Sequence, residues 1–574
     1  MKKLLDVRRL CAVVLVLVLA VTMVACSGKK KDENLADAGN TNETTTDNED
    51  STSEAIEPMG KYETPIDVEF VTMTNDNIEK NLLEANGWSW EDNIWTNYYK
   101  DELGINLKWK WVVKGEEQYN TKINLMLANG DLPDFFGVNA VQLKQLVEAD
   151  LIADLTEVYD TYTSDLTKSI VAESGTAPLA AATFDGKLYG IPKIYPSYDR
   201  AKFLYVRKDW LDKLGLEVPT TMDQVIDVAI AFATQDPDGN GVDDTYGFGL
   251  AKSLVDGGHE IKGFSYGYGA TPNQWIEKDG KLVYGGIQPE MKEALAGLQK
   301  MYDGGAIDKE FGTKDFDKVS SDFNAGKVGM SYGEHWLAVV INQVMNLDEN
   351  AELNAYKLPS LDGSDPMNIM DLGTNRWFVA RKDTANPEAI IKILNLVTET
   401  QYGEKFSKEL QDNSDLSPLF IVRENNNLIS YQSMVDYFVN KVPFDQVKWN
   451  GGSSSEEEFL ANDAVAKYMT TGDRESYGWA HIYGPIEGAT MPILKYYVDN
   501  KTVMINRFIG APTETMGDKK ALLDELQTTT FSKIIQGASL AEFDKFVSDW
   551  NKMGGEKITE EVNEWYAGVQ DKNY

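Results

Sequence analysis

The run DPDGNGVDDTYG at residues 236–247 places oxygen-bearing side chains at Asp236, Asp238, Asn240 and Asp244, with a glycine at position 241. This is the 1, 3, 5, 9 spacing of an EF-hand calcium loop with its tight-turn glycine at position 6. Alternate residues of a sharply turning loop point inward, so these side chains and the carbonyl of Val242 can surround one hard cation. Position 12 is Gly247 rather than a bidentate Glu, so water, Asp243 or a distant group would have to complete the shell. The competing reading is a solvated Asx-Gly turn that needs no metal. Two G-x-S-x-G strings, at 263–267 and 329–333, have the form of a hydrolase nucleophile elbow. A triad also needs an acid and a His; of the residues after Ser331 only His335 and His481 qualify as the base, and His335 is too close in sequence to reach back. A glycosidase would need two carboxylates roughly 5 to 9.5 Å apart across a cleft. With 91 acidic residues the chain neither supplies nor excludes such a pair.

Aromatic residues offer a different chemistry. There are 13 Trp, 27 Tyr and 21 Phe, and every Trp lies after residue 87. A pyranose ring presents an apolar C–H face that stacks on an aromatic plane, while its hydroxyl rim needs carboxylates, amides and Arg. Most aromatics in any chain are core, so single positions need context. Trp479 lies in the Gly- and Tyr-rich run SYGWAHIYG, and that composition recommends it as a ligand contact.

Composition bounds the partners. The chain has 574 residues, 42% hydrophobic and 25% charged, which is ordinary globular usage with room for two or more domains. Lys and Arg number 55 against 91 Asp and Glu, a net charge of −36 that repels phosphate backbones and leaves no basic face for nucleic acid. Two Cys and three His are too few for a disulfide framework or a Cys/His zinc site. No phosphate-binding glycine loop is present.

The N-terminus reads as an address. Lys2, Lys3, Arg8 and Arg9 precede an apolar stretch from Leu10 to Ala25, and a polar run follows at once, which is the layout of a secretory signal. Met23-Val24-Ala25-Cys26 resembles a bacterial lipobox, with Met where Leu is commonest, so residues 1–25 are expected to be a signal peptide and Cys26 the lipidated N-terminus. The alternative is an uncleaved signal anchor. Residues 26–60 are acidic and hold no aromatic until the tether ends, which predicts a disordered tether. The folded part then contains no thiol.

The elements that must position these residues alternate. PIDVEFVTM reads as a strand, IEKNLLEANG with WTNYYKDELG as helix, INLKWKWVV as a second strand, and YNTKINLMLANG as a helix leading through a Pro turn into GDLPDFFGV. This is βαβ grammar, and an α/β sheet is the economical reading. Apolar spacing predicts further helices in MDQVIDVAIAFAT, PEMKEALAGLQKMYDGG, EHWLAVVINQVM and NPEAIIKILNLVTET. Extended runs through Pro192 and Pro196, and through DLGTNRWFVA, read as two crossings between lobes.

ANGDLPDFF, FDGKLYGIP, LYVRKDWLDKLGLEVPTT, FNAGKVGMSYGEHW and ANPEAIIKILN stand in register from about residue 62 to at least 400. Together they resemble the hallmark segments of the extracellular solute-binding lipoproteins (family 1) of Gram-positive carbohydrate ABC importers, distant relatives of maltose-binding protein. The resemblance implies an α/β, two-lobed type II periplasmic-binding fold that closes on an oligosaccharide and delivers it to a permease. Residues 61–195 would form the first part of lobe 1 and 196–372 the first part of lobe 2. Residues 373–574, mostly helical, would return to lobe 1 and complete both.

The resemblance matches Trp336 to the family's ligand-stacking Trp and Trp275 to a second cleft-facing aromatic. Glu334 lies at the same element terminus as Trp336. Trp377 and Arg376 lie at the second crossing, and Tyr198, Asp199 and Arg200 on the first, where they could present polar groups to a sugar. The resemblance also brings the calcium loop, since several relatives carry one after a helix. The expected partners are an oligosaccharide, permease subunits and, through the lipid alone, the membrane. The protein is expected to be a monomer located on the extracellular face of the cell membrane and to make or break no bond. The alternatives are a surface glycan-degrading enzyme and a peptide or amino-acid binder of the same fold.

Overall fold

In the computed structural model, residues 57–255, 257–450 and 455–569 are described. The signal segment, Cys26 and most of the tether lie outside them.

The first sheet is nucleated by β-branched and aromatic runs separated by a capped helix. Strands Ile66–Thr74 and Ile105–Lys114 pair in parallel, Ile66 opposite Ile105. The helix between them, Ile94–Leu103, opens on an Asn93 capping box and closes on Gly104, whose φ of 68° is left-handed. The sequence predicted helix continuously from Ile78 to this point. Instead a short helix, Ile78–Glu84, is separated from Ile94–Leu103 by a turn at Gly87, also at positive φ. Strand Phe135–Val138 adds on the other side, followed by Trp377–Ala380 and Ile191–Pro192, both antiparallel pairings, to give five strands. Phe70, Phe135, Phe136, Trp95 and Tyr99 form the floor of a core that draws on residues from Val68 to Ile194 and from Trp377 to Ile421.

A second core draws on residues from Ala201 to Met370 and again from Tyr477 to Tyr566. Its four-stranded sheet runs Leu353–Tyr356, Phe203–Arg207, Val328–Gly333, Tyr246–Phe248. Every residue of FLYVR and VGMSYG is buried, because helix Met222–Thr234 packs against the sheet and helix Pro289–Asp303 packs in turn against that helix. The C-terminal helices Glu514–Ile535, Ala541–Trp550 and Glu556–Ala567 close this lobe, Trp550 stacking on Tyr284 with centroids 4.9 Å apart and planes at 4°. EHWLAVVINQVM does not form the expected helix: it makes two single-turn pieces, Leu337–Val340 and Val344–Leu347. Around the break, Asn324 ties down Val340 and Gln343 with its side chain.

A small third cluster of Met434, Phe459, Val465 and Ala466 supports the helical region 426–471. The backbone passes between the two large cores three times, at 195–200, at 371–376 and at 422–425. The third is pinned by Val422 N–H donating to the carbonyl of Ile194.

Candidate functional site

Parallel strands end their hydrogen-bonding edge at a crevice where their carboxyl ends open, and ligands of α/β sheets bind there. Here that crevice lies between the lobes. Met73 at the end of one strand and Glu116 just past the next come from the first lobe. Glu334, His335 and Trp336, which follow strand Val328–Gly333, come from the second. Lys193, Tyr195, Asp199, Arg200, Asn375 and Arg376, on and beside two of the crossings, complete the walls of a cleft of about 500 Å3.

Trp336 is half-buried, edge-on to Phe316 at 5.6 Å, and its indole N–H donates to Glu334 Oε2 at 2.7 Å. Glu334 Oε1 accepts from Lys202 Nζ at 3.1 Å, and Arg200 Nη1 lies 3.6 Å from Oε2. Burial opposes ionisation of Glu334, but Lys202, the indole and Arg200 outweigh it and hold the carboxyl below its usual range. Lys202 also pairs with Glu260, which is fully buried. Burial works against the charge on Lys202, and the two carboxylates more than offset it, so the ammonium stays protonated. Nearby, Lys262 donates to Asp371 at 3.3 Å, and Gln274 donates to the same carboxylate. A ladder of alternating charge thus runs from the cleft floor into the second core.

On the opposite wall Arg376 bonds Glu116 Oε1 at 2.5 Å and lies 4.4 Å from the Tyr119 ring centroid. The path of its side chain requires Gly137: a Cβ there would sit 2.8 Å from Arg376 Cδ. Asp199 accepts from Asn427 Nδ2 at 2.6 Å, and Asn427 Oδ1 accepts from Tyr483. This joins the cleft to a second hollow of about 580 Å3 in the helical region, lined by Trp449, Asn450, Trp479 and Tyr483 among others. Trp479 is 46% exposed and parallel to Tyr483, with planes at 10° and centroids 6.4 Å apart.

The structure therefore gathers Glu334, Trp336, Arg200 and Arg376 in one cleft and sets Trp479 at the adjoining hollow. Tyr198 faces away from it, into a separate pocket with Ser174 and Arg507. There Tyr198 N–H donates to Glu424, and burial, followed by the opposing hydrogen bonds, leaves that carboxyl pushed up to about 7. Trp275 and Trp377 do not line the cleft. Trp275 is 5% exposed, packed against Tyr284 and Phe508, and Trp377 is 3% exposed with its indole N–H on the carbonyl of Pro178. Both are consumed by core packing. Lys193, Glu116, Lys202, Glu260 and Asn427 were not singled out from the sequence; a basic residue inside the apolar run AKFLYV was the one visible hint, at Lys202.

In the 236–247 loop, Asp236 accepts from the N–H groups of Gly239 and Gly241, and Asn240 Nδ2 donates to both Asp238 and Asp244. Val242 N–H donates to Asn240 Oδ1. The carboxyl of Asp238 is raised, first by burial and then by Asp236 and Asp244 crowding it. Gly247 is dictated by packing, since a Cβ there would fall 1.8 Å from the carbonyl oxygen of Ala229; a Glu at position 12 has no room. Among the described residues no three His, Cys, Asp or Glu side chains are grouped as a metal-ligand set.

Ser331 does meet a histidine, but not the one expected: His259 Nδ1 lies 2.8 Å from its hydroxyl, and His259 Nε2 lies 3.0 Å from Ser320. All three are buried, both ring nitrogens are taken by serine hydroxyls with no carboxylate on the ring among the described residues, and burial drives the imidazole down to about 3. Ser265 of the other string is fully buried, and His481 stacks on Tyr477. Neither serine has the exposed position of a nucleophile elbow.

Two lobes, three backbone crossings and a cleft at the strand ends define a hinged ligand-binding protein. The chain belongs to the bacterial extracellular solute-binding protein family, whose model matches residues 81–404. It is 24% identical over 454 residues to the Bacillus subtilis polygalacturonan/rhamnogalacturonan-binding protein YtcQ, covering 77% of this chain and 82% of that one. It is 30% identical over 231 residues to the B. subtilis lipoprotein LipO, with 40% of this chain and 44% of that one covered. In structure it is similar to an extracellular solute-binding protein of Bifidobacterium longum subsp. infantis (17% identity, TM-score 0.60, 88% and 98% covered). A similar match is the Streptococcus pneumoniae ABC-transporter substrate-binding protein FusA, an EF-hand mutant in complex with fructo-nystose (18% identity, TM-score 0.58, 88% and 100% covered). The fold is the α/β, two-lobed type II solute-binding fold.

Proposed function

We propose that this protein captures an oligosaccharide between its lobes and hands it, unaltered, to the permease of an ABC importer. The observation that carries this is the Trp336 indole, fixed by Glu334 on one wall of the interlobe cleft with Arg376 across from it. A flat apolar face ringed by charged hydrogen-bonding groups suits a pyranose better than a peptide backbone. Trp479 and Tyr483 offer a second flat surface for a longer chain. Ligand contacts both lobes only when they close, so binding shifts the open–closed equilibrium by its differential affinity. The polygalacturonan/rhamnogalacturonan-binding YtcQ and the fructo-nystose complex of FusA support the same reading. Calorimetric titration with pectic, fructan and alginate oligosaccharides, with new reducing ends assayed in parallel, tests it. Heat without new ends is the expected result; new ends would mean an enzyme, and heat with peptides alone would mean a peptide binder.

The 236–247 loop is proposed to hold a structural calcium ion through Asp236, Asp238, Asn240, Asp244 and the Val242 carbonyl. Crowded carboxylates tied together by one Asn are what a divalent cation relieves. The structural likeness to FusA, solved as an EF-hand mutant, and to the alginate-binding protein AlgQ2, solved without calcium ion, is in keeping with this. At a Kd of about 10 µM, 1 mM calcium adds about 2.7 kcal/mol, a rise of a few degrees in melting midpoint. Asp238→Ala should abolish the rise; identical melts in EDTA and calcium would discard the site.

We also place the protein on the outer face of the membrane, anchored through Cys26, in line with its likeness to the lipoprotein LipO. Cells fed labelled palmitate should label the wild-type chain and not Cys26→Ala. Label retained by the variant would rule out this anchor.

A further inference from the structure

We propose that the cleft is built for an acidic oligosaccharide, with a uronate carboxylate seated against the ammonium of Lys193. This rests on the oligosaccharide reading above and narrows it to a substrate class.

Lys193 follows strand Ile191–Pro192, and its backbone N–H is fixed on the carbonyl of Arg376. Its side chain lines the cleft beside Glu116, Tyr195 and Arg376. The other basic groups there are neutralised: Arg376 by Glu116 at 2.5 Å, and Arg200 by Glu334 at 3.6 Å. Among the described residues, no carboxylate oxygen lies within 4 Å of Lys193 Nζ, and that nitrogen donates no hydrogen bond to protein. Its neighbours are aromatic: Nζ is 4.1 Å from the Phe420 ring centroid and 5.4 Å from that of Tyr195. In a chain whose acids outnumber its bases 91 to 55, a carboxylate partner would have been easy to supply.

Cation–π contact with two rings recovers only part of what an ammonium loses on leaving water. The charged groups around Lys193 show the same imbalance. Burial and the nearby Arg376 push its ammonium down to about 8, against the weaker pull of Asp415 and Glu116, and Tyr195 is pushed up to about 12 and so stays neutral. Below about pH 8 Lys193 is therefore a positive charge with no carboxylate at ion-pair distance; Asp199, the remaining acid of the cleft wall, is turned to Asn427, and burial raises its carboxyl. Closure over a neutral sugar would desolvate Lys193 further with nothing to pair it. Closure over a uronate would form a charge-assisted hydrogen bond while Trp336 stacks on the ring.

The test uses the full-length chain without its signal, titrated with oligogalacturonate and oligoalginate and with their carboxyl-reduced counterparts of equal length. Wild type should bind one acidic form at least about 30-fold more tightly than its reduced form. Lys193→Met should remove most of that difference by weakening the acidic form, and should unfold at the wild-type midpoint. Raising the pH from 7 to 9 should weaken acidic binding by about tenfold in wild type and leave Lys193→Met unaffected. Equal affinity for acidic and reduced forms, or indifference of the acidic form to Lys193→Met, would overturn this inference and leave oligosaccharide capture standing. Silence with every acidic and neutral oligosaccharide would overturn both.

Discussion

Trp336→Ala should lower oligosaccharide affinity by roughly 30- to 1,000-fold, as expected for an aromatic anchor worth about 2–4 kcal/mol. The ring is oriented before any ligand arrives. Phe316 packs its edge, and Glu334 takes its indole N–H while being held in turn by Lys202 and Arg200. Little side-chain entropy is left to lose on binding, so the stacking contact appears almost undiminished in affinity. Trp336→Phe separates the two contributions: it keeps a flat apolar face and loses the bond to Glu334, so about a tenfold loss is expected. Because the indole is only half-buried, either variant should unfold within about 1 kcal/mol of wild type, and urea titration followed by the remaining tryptophans checks this alongside calorimetry. Affinity within threefold of wild type for Trp336→Ala would remove this ring from the site.

What could be read along the chain and what could not divide by the range of the interaction involved. The strands Ile66–Thr74 and Ile105–Lys114 and the helices Met222–Thr234 and Pro289–Asp303 announce themselves, because apolar period and capping residues act within a few positions. The oxygen ladder of the 236–247 loop is local for the same reason. Side-chain fate is not local. Trp275 and Trp336 look alike in sequence, yet Phe508, from more than 200 residues downstream, helps bury the first, whereas the second, packed on one edge by Phe316, stays half-exposed to the cleft. The partners of Ser331 and Lys202 lie 72 and 132 residues away, so neither the inert Ser331–His259 pair nor the charge ladder could be foreseen. The absent Glu at position 12 is likewise explained only in three dimensions, by a helix carbonyl that leaves room for hydrogen alone at Gly247.

Lys202→Met should be the most destabilising single substitution near the cleft, costing about 3–5 kcal/mol as one partner is removed from a buried ionic cluster. Lys202 is 3% exposed, and its backbone is clamped from both sides by Asn368, which accepts its N–H and donates to its carbonyl. A methionine fits that space, so the loss is electrostatic rather than steric: Glu260 and Glu334 would face each other without the cation between them. Burial already raises the Glu260 carboxyl against the pull of Lys202 and Lys262, and without Lys202 it rises further. A carboxyl whose folded-state pKa lies above its unfolded value contributes stability below the unfolded value and loses it as pH climbs through the folded one. Lys202→Met should therefore sit nearest to wild type at about pH 5 and fall away toward pH 8, a steeper slope than the one the raised Glu260 already gives wild type. Adding Glu260→Gln removes the group that titrates and should restore part of the loss and flatten the slope. Urea midpoints for the three proteins at both pH values decide the matter: coincident midpoints would mean that the cluster holds nothing in place. Because the same Lys202 steadies the carboxylate that orients Trp336, ligand affinity should fall even where the variant remains folded, which couples the stability of the second lobe to the grip of the cleft.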